Sequence, residues 1–169
     1  MRVLTTMTVA LSIALASAAT LHSRPPLCTA SEKAVFSCPV GNKTLSICAS
    51  ADLSPTSGYL KYRFGRSLQR VELSYPSEDG HPRRSFSFFQ ESGGHWSVEQ
   101  LTFAIADYVY IVFVERSAIE SNGSGVTIKS QGKKVAHLAC DQPRPDPDNL
   151  YSLRDLGLPS VEYQDDGLQ

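Results

Sequence analysis

The chain has 169 residues, 20% of them charged, a formal net charge of −1 and four cysteines. So even a balance gives no support to nucleic-acid binding, and the length suffices for one domain with a real core. The charge is nevertheless uneven: residues 1–140 hold 14 Lys and Arg against 10 Asp and Glu, while 141–169 hold 2 against 7, so a mildly basic body precedes an acidic tail.

The opening stretch, MRVLTTMTVALSIALASAAT, predicts a secretory signal over residues 1–19. Arg2 supplies the positive start, Val3 to Leu15 the apolar run, and Ala16-Ser17-Ala18 the small-x-small pattern that a signal peptidase accepts. That run is too short to span a bilayer, and no later run is long enough. Cys28 follows Pro26-Leu27, which does not fit a lipidation site. The expected location is therefore periplasmic or secreted. There the four cysteines, Cys28, Cys38, Cys48 and Cys140, read as two disulfides with three possible pairings. A redox Cys-x-x-Cys is absent and the nearest cysteines stand ten apart, a spacing that fits no zinc site. No metal or cofactor is expected.

Beyond the signal, short alternating runs are separated by turn residues. KAVFSC and KTLSICAS flank Gly41-Asn42, a good two-residue hairpin turn. That register sets Phe36 opposite Ile47 and Cys38 opposite Leu45, and turns Cys48 to the other face, so Cys38 and Cys48 do not pair. GYLKYRFGR puts Leu60, Tyr62 and Phe64 on one face and Tyr59, Lys61 and Arg63 on the other. RVELSYP is a further strand, and residues 76–84 form a loop. SFSFFQE follows. SVEQLTFAI and YVYIVFVER turn at Ala106-Asp107, and the second, apolar on both faces, predicts a central strand. GVTIK and KKVAHLAC form a hairpin around Gln131-Gly132.

The expected fold is all-β: an antiparallel meander of about eight strands over residues 28–140, closing into a small barrel or sandwich. Closure brings the first and last strands together, which favours Cys38–Cys140 and leaves Cys28–Cys48. The tail, residues 141–169, is expected to be extended at Pro143, Pro145 and Pro147. One or two helical turns, capped by Asp148 and ending at Gly157, should follow, and SVEYQDDGLQ should be partly disordered.

Chemistry is sparsely signalled. His81, His95 and His137 share no metal-ligand spacing, and neither a Gly-x-Ser-x-Gly elbow nor a phosphate-binding glycine loop is present. DPDN at 146–149 lacks the glycine and terminal glutamate of a calcium loop. Asn42-Lys43-Thr44 and Asn122-Gly123-Ser124 fit the glycosylation sequon. A binding patch is the better-supported reading: Lys61, Arg63 and Arg66 beside Tyr59, with Arg83 and Arg84 in a neighbouring loop, suit a carboxylate-rich or polyanionic partner. The alternatives are a secreted hydrolase using His95 or His137 with Asp107, and a structural envelope protein.

Two resemblances add to this. EKAVFSCPVGNKTLSICASADLSPTSGYLKYRFG, with DYVYIVF and GKKVAHLAC, resembles an uncharacterised family of small exported bacterial β-rich, cysteine-containing proteins. That likeness implies export and a β-fold and brings no activity with it. The aromatic-x-Cys of the first strand, the meander and the terminal cysteine are also similar to the membrane-bound inhibitors of C-type lysozyme. This second likeness implies paired first and last cysteines and a loop that blocks the enzyme cleft near a Ser-Gly-x-x-Tyr motif. Ser57-Gly58-Tyr59 stands closest to that motif, with a shorter spacing and no lipid anchor. The resulting expectation is an exported, non-catalytic binding protein for a protein or charged envelope component, in its most concrete form a lysozyme-type hydrolase inhibitor. Its basic residues would then reach the enzyme's catalytic carboxylates.

Overall fold

The computed structural model describes residues 24–119, 122–141 and 148–164. The predicted signal and the three tail prolines lie outside the described residues. Four strands, β1 (Glu32–Val40), β2 (Lys43–Ser50), β3 (Leu60–Ser67) and β4 (Arg70–Tyr75), form one antiparallel sheet in sequence order. Five more, β5 (Ser87–Ser92), β6 (Trp96–Ile105), β7 (Tyr108–Ser117), β8 (Gly123–Ser130) and β9 (Lys133–Ala139), form a second, also in order.

Local turn chemistry explains the hairpins. The β1–β2 register has Phe36 opposite Ile47 and Cys38 opposite Leu45, as the Gly41-Asn42 turn requires. Gln131 and Gly132 both take positive φ, 51° and 75°, the geometry that matches the right-handed twist of the flanking strands. The β6–β7 ladder is unbroken over ten pairs, from Trp96–Ser117 to Ile105–Tyr108, and β7 is the middle strand of its sheet.

Of the two closures expected, barrel or sandwich, a closed barrel does not form among the described residues. Nine strands form two separate sheets, and no ladder joins β4 to β5 or β9 to β1 among the described residues. Pro76 lacks an N–H for a ladder, and the loop that it opens carries a short 3₁₀ turn, Pro82–Arg84, on the way to the second sheet. The two sheets share one core instead. Phe36, Leu45, Ile47, Leu60 and Tyr62 from the first sheet cluster with Phe88, Leu101, Phe103, Val112, Val114 and Val126 from the second. Tyr62 meets Phe103 at a 4.9 Å ring separation, and Phe103 stacks between Tyr75 and Tyr110 at 4.7 and 4.9 Å. Burial, reinforced by Tyr110, holds the Tyr62 phenol well above its ordinary pKa, so it stays neutral.

The disulfides are Cys28–Cys48 and Cys38–Cys140. The second ties β1 to the end of β9 without a ladder between them. Beyond it the chain turns back along the free edge of β1. The Asp141 amide donates to Pro39 O at 2.8 Å, Asp148 bridges Phe36, and the Asn149 amide donates to Val35 O at 2.9 Å.

Residues 148–164 of the tail pack on the body, and the expected helical turns before Gly157 are present. Leu150–Leu156 forms a 3₁₀ helix that buries Leu150, Leu153 and Leu156 in the shared core. Asn149, not Asp148, occupies its N-cap, because both Asp148 carboxylate oxygens accept from Arg116. Gly157 ends the helix at φ 61°. The Phe88 amide then donates to Pro159 O, which covers the edge of β5. Residues 160–164, expected to be disordered, continue across β6, where the Gln100 side chain exchanges two hydrogen bonds of 2.8 and 2.9 Å with the Gln164 backbone. Truncating Leu153 to Ala is accordingly expected to cost about 2–5 kcal/mol. A thermal melt reads this directly, and an unchanged midpoint would show that the helix only rests on the surface.

Candidate functional site

The six residues of the predicted basic patch do not form one site. Residues 24–29 lie across the outer face of the first sheet, pinned by Cys28–Cys48, with the Leu27 amide donating to Ser46 Oγ at 3.0 Å. Beneath that segment Arg63 forms a two-pronged ion pair with Glu32, at 2.6 and 2.9 Å, and also donates to Leu27 O. Glu32 is almost fully buried. Burial acts to raise its pKa, but the Arg63 hydrogen bonds and charge and the Thr29 backbone amide outweigh it, holding the carboxyl at about 2. Lys61 is buried too, donating to Pro76 O at 2.7 Å and pairing with Asp79 at 2.9 Å, so it fastens the loop after β4. Tyr59 is half-buried, and its phenol is pushed up by burial and by the Glu32 charge. Arg83 donates to Leu156 O, the last carbonyl of the 3₁₀ helix, across the space left by Gly157. Arg84 and Arg66 are exposed, the latter 3.9 Å from Glu72.

Among the described residues, neither His95 nor His137 stands beside Asp107. His95 and Asp107 sit at opposite ends of the ten-residue β6, about 30 Å apart by strand rise. His137 bonds Thr127 at 2.9 Å and stacks on Phe113, two strands and four residues from Asp107. His81 bonds Ser54 O. Cys28, Glu32 and Cys48 crowd within 4.8 Å, yet both sulfurs are spent in the disulfide and the carboxylate on Arg63, so no metal donor remains there.

The feature with the shape of a site lies at the open end of the second sheet. β6 begins at Trp96, the only tryptophan in the chain, which is 45% exposed. Its backbone O accepts from the Gly93 amide at 2.8 Å, and a Cβ at Gly93 would stand 2.5 Å from the indole Nε1. The turn thus passes close to the indole. A cleft of about 290 Å³ is lined by Trp96 together with Glu91, Val98, Glu115 and Tyr163. A shallower one of about 450 Å³ is lined by Trp96 together with Gly93, His95, Ala118 and Asn122. Trp96, Ser97, Arg116 and Ser117 line both.

Arg116 is held from behind. One guanidinium nitrogen donates to the buried Glu99 and the other to both oxygens of Asp148, at 3.0 and 3.1 Å. Tyr163 reaches the rim because Gln100 anchors the adjacent Gln164, and its ring packs 5.7 Å from Phe89. No family model, curated protein or solved structure matches the chain. Its geometry must therefore speak for it.

Sequence reasoning missed this cleft although part of the signal was present. The Ala106-Asp107 turn alone implies that Ser97 faces Arg116 and Val98 faces Glu115, and the ladder has both pairs. What no local pattern gives is the arrival of Asp148 and Tyr163 from the tail.

Proposed function

We propose that this is an exported, non-catalytic binding protein that acts on a protein or a charged envelope component, in the periplasm or outside the cell. The observation that carries the reading is the half-exposed Trp96, which lines two clefts, set on a scaffold held by two disulfides. Disulfides of this kind belong to an oxidising compartment. An exposed aromatic beside carboxylates and a tyrosine is recognition chemistry: apolar contact area with directional polar bonds around it.

The test is sedimentation of the oxidised protein with washed bacterial envelopes. Saturable binding that falls in Trp96→Ala is expected, and a protein that stays in the supernatant retires the reading. Arg84, an exposed base of the predicted patch, favours a second form of it. From the surface it would approach the catalytic carboxylates of a lysozyme-type hydrolase, as the inhibitor resemblance implies. Stoichiometric, salt-weakened inhibition of C-type lysozyme, lost in Arg84→Glu, is the outcome expected of that form. Full lytic activity in the presence of micromolar protein removes it.

A further inference from the structure

We infer that the paired clefts at Trp96 are a saccharide site, selective for neutral or amino sugars over anionic ones. The inference deepens the binding reading given above and rests on it.

A pyranose has an apolar C–H face and a rim of hydroxyls. It therefore needs a flat aromatic surface and, around it, planar groups that make two hydrogen bonds at once. Trp96 supplies the surface. Its indole lies close to Gly93 at the β5–β6 turn. Glu91 and Glu115, whose carboxylates can each make two hydrogen bonds, line the adjoining cleft with Tyr163. The cleft of about 290 Å³ is at the lower end of ordinary small-ligand sites. The second cleft, which Trp96 also lines, gives a neighbouring unit of a chain somewhere to lie.

Charge sets the selectivity. Beside Trp96 the cleft presents Glu91 and Glu115, while the charge of Arg116, which also lines it, is already paired with Glu99 and Asp148. A uronate or sulfated unit would meet like charge. A protonated amino sugar would meet carboxylates and the face of an indole, both of which attract a cation.

The single tryptophan makes the test direct, because all indole emission comes from this site. The oxidised protein is titrated with cello-oligosaccharide, with deacetylated chito-oligosaccharide and with oligogalacturonate, following emission and, independently, the heat of binding. A saturable emission change with the neutral or amino oligomer is expected, with oligogalacturonate weaker by roughly tenfold or more. Trp96→Ala should remove the heat of binding. Glu115→Gln, which keeps the fold and the platform, should weaken the amino oligomer and narrow its lead over oligogalacturonate. No saturable signal from any oligomer up to about 10 mM overturns the inference. So does a preference for oligogalacturonate, or binding that survives Trp96→Ala. If the oligomers fail while envelope sedimentation still depends on Trp96, the saccharide assignment falls and the binding reading stands. If both fail, neither survives.

Discussion

Replacing Cys38 and Cys140 together by alanine is expected to lower the thermal midpoint by roughly 10–20 °C. The bond joins residues 102 apart. In the chain-entropy description a loop of that length is worth about 4.7 kcal/mol, and for a domain of this size each kcal/mol moves the midpoint by about 2–4 °C. The structural reason is equally specific. No ladder joins β9 to β1 among the described residues, so this disulfide holds the end of the second sheet to the first strand. It also starts the return along β1, through the Asp141 amide on Pro39 O and the Gly41 amide on Asp141 Oδ2 at 3.0 Å. Losing it loosens that cover and offers an open strand edge to other copies of the chain. Concentration-dependent association should therefore accompany the fall in stability. Differential scanning calorimetry with light scattering reads both. A double variant that melts within a degree or two of the parent would mean that the core alone holds the sheets together.

The second large effect concerns Arg63. Arg63→Ala leaves the Glu32 carboxylate buried without its counter-charge, which typically costs about 3–5 kcal/mol. Its pH dependence separates this cause from a simple loss of packing. With Arg63 present, the folded pKa of Glu32 is about 2 and lies below its unfolded value near 4.3. A depressed carboxyl contributes stability that is fully present above the unfolded pKa and is lost as pH falls through the folded one. Two units correspond to about 3 kcal/mol, lost between roughly pH 4.3 and pH 2. Without Arg63 the sign reverses: burial now raises the Glu32 pKa, and protonation relieves the unpaired charge. The gap between parent and variant is therefore expected to be wide at pH 7 and to narrow steadily toward pH 2.5. Denaturant melts across that range decide it, and a gap of constant width would show that Arg63 acts through packing alone.

These two effects show unequal legibility in the sequence. Alternation excluded one cysteine pairing, since Cys38 and Cys48 lie on opposite faces of one hairpin, and the expected meeting of first and last strands chose Cys38–Cys140, the bond that is present. The pairing of Arg63 with Glu32 did not follow, because they stand 31 positions apart across a hairpin turn and a loop. Arg63 on the outer face of a strand has the same pattern whether it meets solvent, a partner or, as here, the chain's own residues 24–29. Lys61 repeats the lesson, since alternation places it outward and only the return of the 76–79 loop buries it.

What the sequence determined by itself was local: the two-residue turns, the alternation that fixes register within each hairpin, and the central place of an all-apolar strand in β7. Those depend on φ preferences and a period of two, which neighbouring residues carry among themselves. Tertiary structure decided what depends on distant surfaces meeting. It split the meander into two sheets around one core and drew the tail's leucines into that core. It turned Lys61 and Arg63 of the basic patch to internal partners while leaving Arg66 and Arg84 exposed, and it brought Tyr163 to the Trp96 cleft. The reason is that burial is non-directional: an apolar face states that it must be covered, and not by which segment.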